Sequence, residues 1–563
     1  MISAVIAQLL SVVICAQSGA TDDIPPPAIP SGMDLLYGNR VAVNQNGEPA
    51  VAVGIMTGQN KITIGSTGTF SLDFYEQSVH KRTQVSGKHR LKARVIESTP
   101  ARTSLFVQFE TVAHSQQNTV PNKIKLWRER GFKNVKALED GTVLGVGGNV
   151  IDTRNIRIIT RAETEKEADQ IVATTYSQFQ IRASVQRRIH KRPWGRLEIT
   201  LDGQPLGEAT SYIRLSPQNV DSVLRVEKVE YGKGYKWHGY QARSYRGDIY
   251  VVVDASGKLA VVNVLGAEAI LAGVVPSEIF ATAHPESLKA QAVAARNILF
   301  SQLGRRHHAD PFHLCSAQHC QVYGGITKEK KTTTQAVIDT TGVALFKKGR
   351  LVNATYSSTC GGYTEHNHFV WGDIANAALR AKSDMVTPNR RFDSGINSSN
   401  IRDWLNSPPK TYCNQASKMR SSTFRWTRRY GFQELFSIIQ EKSPKIGRLK
   451  DVRIQGRGKG GRVKSLELIG SLSSHTIHYE LPIRRFFNNL KSGTFVVEKE
   501  RDPSGLIDAL IFSGGGWGHG VGMCQMGAIG RAEADYDYQA ILKHYYNQPD
   551  LKKLYEKSTL LTD

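Results

Sequence analysis

The chain has 563 residues, 40% of them hydrophobic, which suits about three globular domains and excludes a disordered polymer. Its formal net charge of +23 implies attraction to polyanions: nucleic acid, anionic lipid or an acidic cell-wall polymer, among which charge does not choose. No run of eighteen or more apolar residues occurs, so no segment is expected to span a bilayer as a helix.

Residues 2–16 form an apolar run of signal-peptide length ending in small residues, which predicts export with cleavage after Ala16, although no Lys or Arg precedes the run. A Pro-rich linker over 17–38 follows. Residues 39–110 alternate apolar and polar positions in short runs such as Lys61-Ile62-Thr63-Ile64, predicting a β-rich module. Over 111–180 the pattern shifts to an amphipathic segment around Trp127, strands near Val143 and Ile158, and a charged helix from Glu163. This predicts a small α+β unit whose basic residues either bind glycan or solvate a helix face. From 181 the chain returns to strands, with Asp202-Gly203 as a hairpin turn. The fold class expected is α+β, mixed and strand-rich, with a central helix of small residues.

That helix is written in Pro285-Glu-Ser-Leu-Lys-Ala-Gln-Ala-Val-Ala-Ala-Arg296. Proline suits its first turn, Glu286 suits its positive end, and the alanines allow close packing. The apolar run Ala267–Val275 before it reads as a buried strand that Pro276 stops, leaving Glu278 at a strand edge. Burial raises a carboxyl pKa, so Glu278 at such a junction is a candidate proton donor, with a local capping or pairing role as the alternative. Residues 385–450 read as an excursion from the main core, and the chain closes with strand Ile507–Phe512, a Gly-rich run and a helix from about Tyr538.

The Gly-rich run, Ser513 to Ala528, lacks the Gly-Lys-Ser/Thr ending of a phosphate loop. Its distinctive side chains are Trp517, His519 and Gln525: a stacking face, a titratable ring and an amide. Between Tyr356 and Trp371 lie Cys360, His366 and His368, the histidines on one face if the segment is a strand. Two readings stay open. Zinc held by Cys360, His366 and His368 needs a fourth ligand such as Cys413; alternatively, an exported protein forms disulfides Cys360–Cys413 and Cys315–Cys320 and keeps Cys524 as a thiol.

Ordered blocks run from Val261–Glu268 through Gly273–Glu278, Leu288–Arg296, Cys315–Tyr323 and Ser357–Thr364 to Gly518–Ala528. Together they resemble the sporulation stage II protein D / LytB family, also called the amidase-enhancer domain, here over about 181–553. The resemblance implies an exported lytic transglycosylase acting on peptide-stripped peptidoglycan glycan strands. Glu278 would be its catalytic acid and Arg296 an arginine needed for activity; Ser357, Thr359, Trp517, His519 and Gln525 are candidate substrate contacts, with a tight structural turn that holds His519 internally as the alternative for the Gly-rich run. It implies no required cofactor and no nucleic-acid partner, and the zinc ligand set of some members is not reproduced here. The alternative that the family name carries is a non-catalytic wall-binding protein that stimulates a cell-wall amidase. Ile270 stands where the family usually has Tyr, and Cys524 where Ser is common.

Overall fold

The computed structural model describes residues 32–38, 41–219, 221–232, 238–372 and 374–556. The expected leader and most of the linker lie outside these residues; the linker's end, Gly32–Tyr37, is a short helix.

Two large sheets are built from segments far apart in sequence. One runs, in spatial order, Ala42–Val43, Pro49–Gln59, Leu259–Gly266, Asp248–Val253, Tyr212–Pro217, Phe70–Glu76 and Val79–Val85, with Leu314–Cys315 added parallel to Pro49–Gln59. The other runs Gln204–Thr210, Trp194–Leu201, Arg90–Thr99, Lys61–Ser66, Leu224–Tyr231 and Gly239–Tyr245. The stretch 39–110 therefore does not close on itself: both large sheets are completed by strands after residue 193, and its last strand, Arg102–Ala113, joins a third sheet. Strand pleating explains the continuous apolar run of Leu259–Gly266. Val51, Val53, Val251 and Val261 face the main core, while Ala52, Tyr250, Val252 and Val262 face a smaller one with Leu35, Leu36 and Phe312. Asp202 and Gly203 both take positive φ, 49° and 89°, at the tight turn that joins two paired strands.

The small α+β unit is a four-stranded sheet, Ser184–Lys191, Arg102–Ala113, Asn155–Ala162 and Lys136–Asp140, with helices Val120–Glu129 and Glu165–Phe179. It has its own core around Trp127, Phe109 and Ile158. Late in the chain, strands Arg425–Tyr430, Phe495–Arg501 and Ile507–Gly515 and a second three-stranded sheet enclose another core, from Trp426 to Phe512. The late excursion thus continues well past residue 450.

One expected element changes type. Ala267–Glu278 is a helix, not a strand, and residues 267–275 are all buried. A short apolar run has no period that separates a buried strand from a helix buried all round, and Ala and Leu favour the helix once the strand has ended at Gly266. Pro276 falls in the last turn and extended Ile279 ends the helix. The following helix, Pro285–Ser301, is capped by His284, and Ala290, Ala292, Ala294 and Ala295 are fully buried. It packs against Ala267–Glu278, Lys331–Asp339, Gln525–Ala532 and Tyr538–Tyr545, so the two ends of the late chain meet on this helix. Among the described residues no helix is long and apolar enough to cross a membrane.

Candidate active site

Glu278 is the last residue of its helix and is half-buried. Its Oε1 accepts the Val322 backbone N–H at 3.3 Å, and the Tyr356 hydroxyl also hydrogen-bonds the carboxyl. Burial pushes the Glu278 pKa up, and these two hydrogen bonds pull it back only in part. No described cation makes a salt bridge to it within 4.0 Å. Tyr356 in turn accepts from Gln321 Nε2 at 3.3 Å. Gln525 Nε2 donates to the Glu278 backbone carbonyl at 2.7 Å and to Gln291 Oε1 at 3.1 Å, fixing the helix end from the Gly-rich side. Gly273 is required one turn earlier: a Cβ there would stand 2.8 Å from the Tyr323 ring.

The Gly-rich run lies along the Tyr356 segment. Tyr356–Ser357 pairs in parallel with Met523–Cys524, Ser357 Oγ accepts the Gly520 N–H at 3.1 Å, and Thr359 and Trp517 exchange backbone hydrogen bonds of 2.9 and 3.1 Å. Trp517 is 46% exposed, with Lys491 Nζ 5.6 Å from its ring centre, so it presents an aromatic face to solvent. His519 is held inward: Nδ1 accepts the Val521 N–H at 3.0 Å, and its ring lies 5.2 Å from that of Trp371. Burial, with Arg462 and Arg484 nearby, lowers its pKa to about 3, so the imidazole is neutral near pH 7 and serves as a fixed hydrogen-bonding group.

Arg296 is not beside Glu278. It is fully buried and grips Glu268, in the first turn of the same helix, through Nε at 2.7 Å and Nη2 at 2.6 Å. Tyr555 and the Gly342 N–H complete the Glu268 carboxylate, and Arg296 Nη1 reaches the Val343 carbonyl. The pair clamps the two core helices to the strand that follows Gly342.

The thiols are arranged differently from the expectation. All five described cysteines are free, so neither Cys315–Cys320 nor Cys360–Cys413 is bridged. His366 and His368 are not on a strand with Cys360: His366 precedes the short helix Asn367–Trp371, His368 lies in it, and His366 Nδ1 accepts the Ala381 N–H at 3.2 Å. Two other clusters bring ligand atoms within 4.8 Å of one another. One is His307, Cys315, His319 and Cys320, a two-Cys, two-His donor set that fits tetrahedral zinc, with Asp310 Oδ2 2.8 Å from His307 Nδ1 as an orienting carboxylate. It lies beside the segment that brings Val322 to Glu278 and Gln321 to Tyr356. His307 was not legible in sequence because it stands eight positions before Cys315, outside standard zinc spacings. The other cluster is Cys360, Asp384, Cys413 and Cys524.

Residues 255–346, which include Glu278, match the family model described as Stage II sporulation protein. Residues 365–522 match a domain of unknown function, DUF8618. Relatives include the amidase enhancer of Bacillus subtilis, 29% identical over 299 residues that cover 49% of this chain and 39% of that protein. Stage II sporulation protein D of the same organism is 26% identical over 50% of this chain and 72% of its own length. An uncharacterized protein of Brachyspira hyodysenteriae is 28% identical over 52% of this chain and 68% of its own length.

Proposed function

We propose that this is an exported cell-wall protein that cleaves peptidoglycan glycan strands as a lytic transglycosylase, with Glu278 as its single catalytic carboxyl. The observation that carries this reading is a half-buried carboxyl held from two sides by hydrogen bonds and, among the described residues, by no ion pair, a setting in which burial raises its pKa. A neutral Glu278 donates its proton to the glycosidic oxygen as the bond from the anomeric carbon to that oxygen breaks. The resulting carboxylate takes the proton of the same sugar's 6-hydroxyl, whose oxygen closes onto the anomeric carbon. No water is consumed and the acid is regenerated, so the second carboxylate of a typical hydrolase is dispensable. Val322 N–H and Tyr356 stabilise the transient carboxylate, and exposed Trp517 offers a stacking surface for sugar rings. Zinc at His307, Cys315, His319 and Cys320 would supply a structural staple for the Gln321–Val322 loop.

The name of the amidase-enhancer relative supports a second reading, in which the chain binds the wall and stimulates a separate amidase. Denuded glycan incubated with the purified protein alone separates the two. Anhydro-sugar ends that disappear in Glu278→Gln support the enzyme. Reducing ends indicate a hydrolase. No product, together with faster release of stem peptides when an amidase is added, supports the enhancer.

A further inference from the structure

We infer that Cys360, Asp384, Cys413 and Cys524 form a buried structural zinc site. The inference stands on this cluster's geometry and does not depend on the reaction proposed above.

The four residues come from four separate places: the end of the Tyr356 strand, the loop after Ser383, the short helix Tyr412–Gln415, and the junction where Met523–Cys524 enters the helix Gln525–Ala532. None is more than 2% exposed. Cys360 Sγ lies 3.9 Å from Cys413 Sγ and 4.0 Å from Asp384 Oδ2. A disulfide requires its sulfurs at about 2.05 Å. Two thiolates on one tetrahedral zinc, each about 2.3 Å from the metal, stand about 3.8 Å apart. The observed spacing matches the second arrangement. A disulfide would also use only two of the three converging thiols.

The surroundings suit thiolates. The Cys360 N–H donates to Cys524 Sγ at 3.1 Å, Gly527 N–H to the same sulfur at 3.2 Å, and Gly362 N–H to Cys360 Sγ at 3.4 Å; the Thr411 hydroxyl lies 3.3 Å from Cys413 Sγ. Asp384 is oriented as an outer partner orients a ligand: Oδ1 accepts the Tyr545 hydroxyl at 2.7 Å and Oδ2 accepts the Cys413 N–H at 2.9 Å. The charges also balance. Three thiolates and a carboxylate carry four negative charges, of which a divalent zinc offsets two. Arg531, with Nε 3.4 Å from Asp384, and half-buried Arg425, which donates to the Gly361 carbonyl at 3.1 Å, supply the other two. Such a metal would bind together the segments that carry Tyr356 and Gln525, both of which touch Glu278.

The test uses the full chain purified without added metal or chelator. The Cys315→Ser/Cys320→Ser variant removes the half-buried two-Cys, two-His cluster and leaves the fully buried one intact. We expect this variant to hold one zinc per chain by elemental analysis. After exchange it should show the near-ultraviolet thiolate-to-cobalt charge-transfer band, with an intensity that falls by about a third in a further Cys524→Ser change, as one of three thiolates is lost. Cys413→Ser and Cys524→Ser together, added to the same background, should lose the zinc. Absence of zinc from the Cys315→Ser/Cys320→Ser protein would overturn the site. So would an intact mass lower by two hydrogens with Cys360 and Cys413 in one bridged peptide.

Discussion

Glu268 and Glu278 stand at the two ends of one helix and have opposite fates. Glu268, at the positive end, is wrapped by Arg296, Tyr555 and the Gly342 N–H, a fully buried ion pair whose charge is answered on every side. Glu278, at the negative end, meets two hydrogen-bond donors and, among the described residues, no cation, so burial and the helix dipole both oppose its charge. The one charge is answered by a cation, the other only by hydrogen bonds.

The comparison breaks most sharply at Glu278. Replacing it with Gln is expected to lower glycan cleavage by about 10²- to 10⁴-fold with the fold retained, read as anhydro-sugar release beside circular dichroism. The stability of the parent relative to that variant has a definite pH dependence. Because the folded-state pKa of Glu278 is raised, its neutral form favours folding; that contribution is full below the ordinary carboxyl pKa and is lost as pH rises through the raised value. Glu278→Gln, neutral throughout, should therefore be more stable than the parent at neutral pH, and denaturant titrations should converge toward acid. A parent that gained stability relative to the variant as pH rose would contradict the assignment.

At the other end, Arg296→Ala strands a buried carboxylate and is expected to cost about 3–5 kcal/mol in unfolding free energy. Glu268→Gln combined with Arg296→Met should recover part of that loss, since neither partner is then left charged and alone. Catalytic loss in folded Arg296→Met/Glu268→Gln protein without loss of stability would mean that Arg296 acts on substrate after all. Between the two ends, Gly273→Ala forces a methyl against the Tyr323 ring and should destabilise by about 1–3 kcal/mol, seen as a lowered Tm. The mildest change is Tyr356→Phe. It removes a donor that favours the Glu278 carboxylate, so the alkaline limb of the pH–rate profile should move to higher pH, with a several-fold loss of turnover.

Much of the site was legible along the chain. The Pro-Ser-Glu sequence, the alanine-rich helix and the Gly-rich run each announce a local geometry, and the helix Pro285–Ser301 begins at its proline with Glu286 in the first turn. The conformation of Ala267–Val275 was not legible, because a uniformly apolar run has no face to mark its period. The role of Arg296 was hidden for a related reason: eighteen residues separate it from Glu278, but the chain folds so that it meets Glu268 instead.

Local pattern, then, determined where a carboxyl could be raised, where the backbone must be glycine, and which family's blocks the chain carries. Only tertiary structure decided which acid is paired with a cation and which has its pKa raised by burial. It also brought Cys360, Asp384, Cys413 and Cys524 together, because partners drawn from segments up to 164 residues apart are chosen by packing, which no spacing along the chain records.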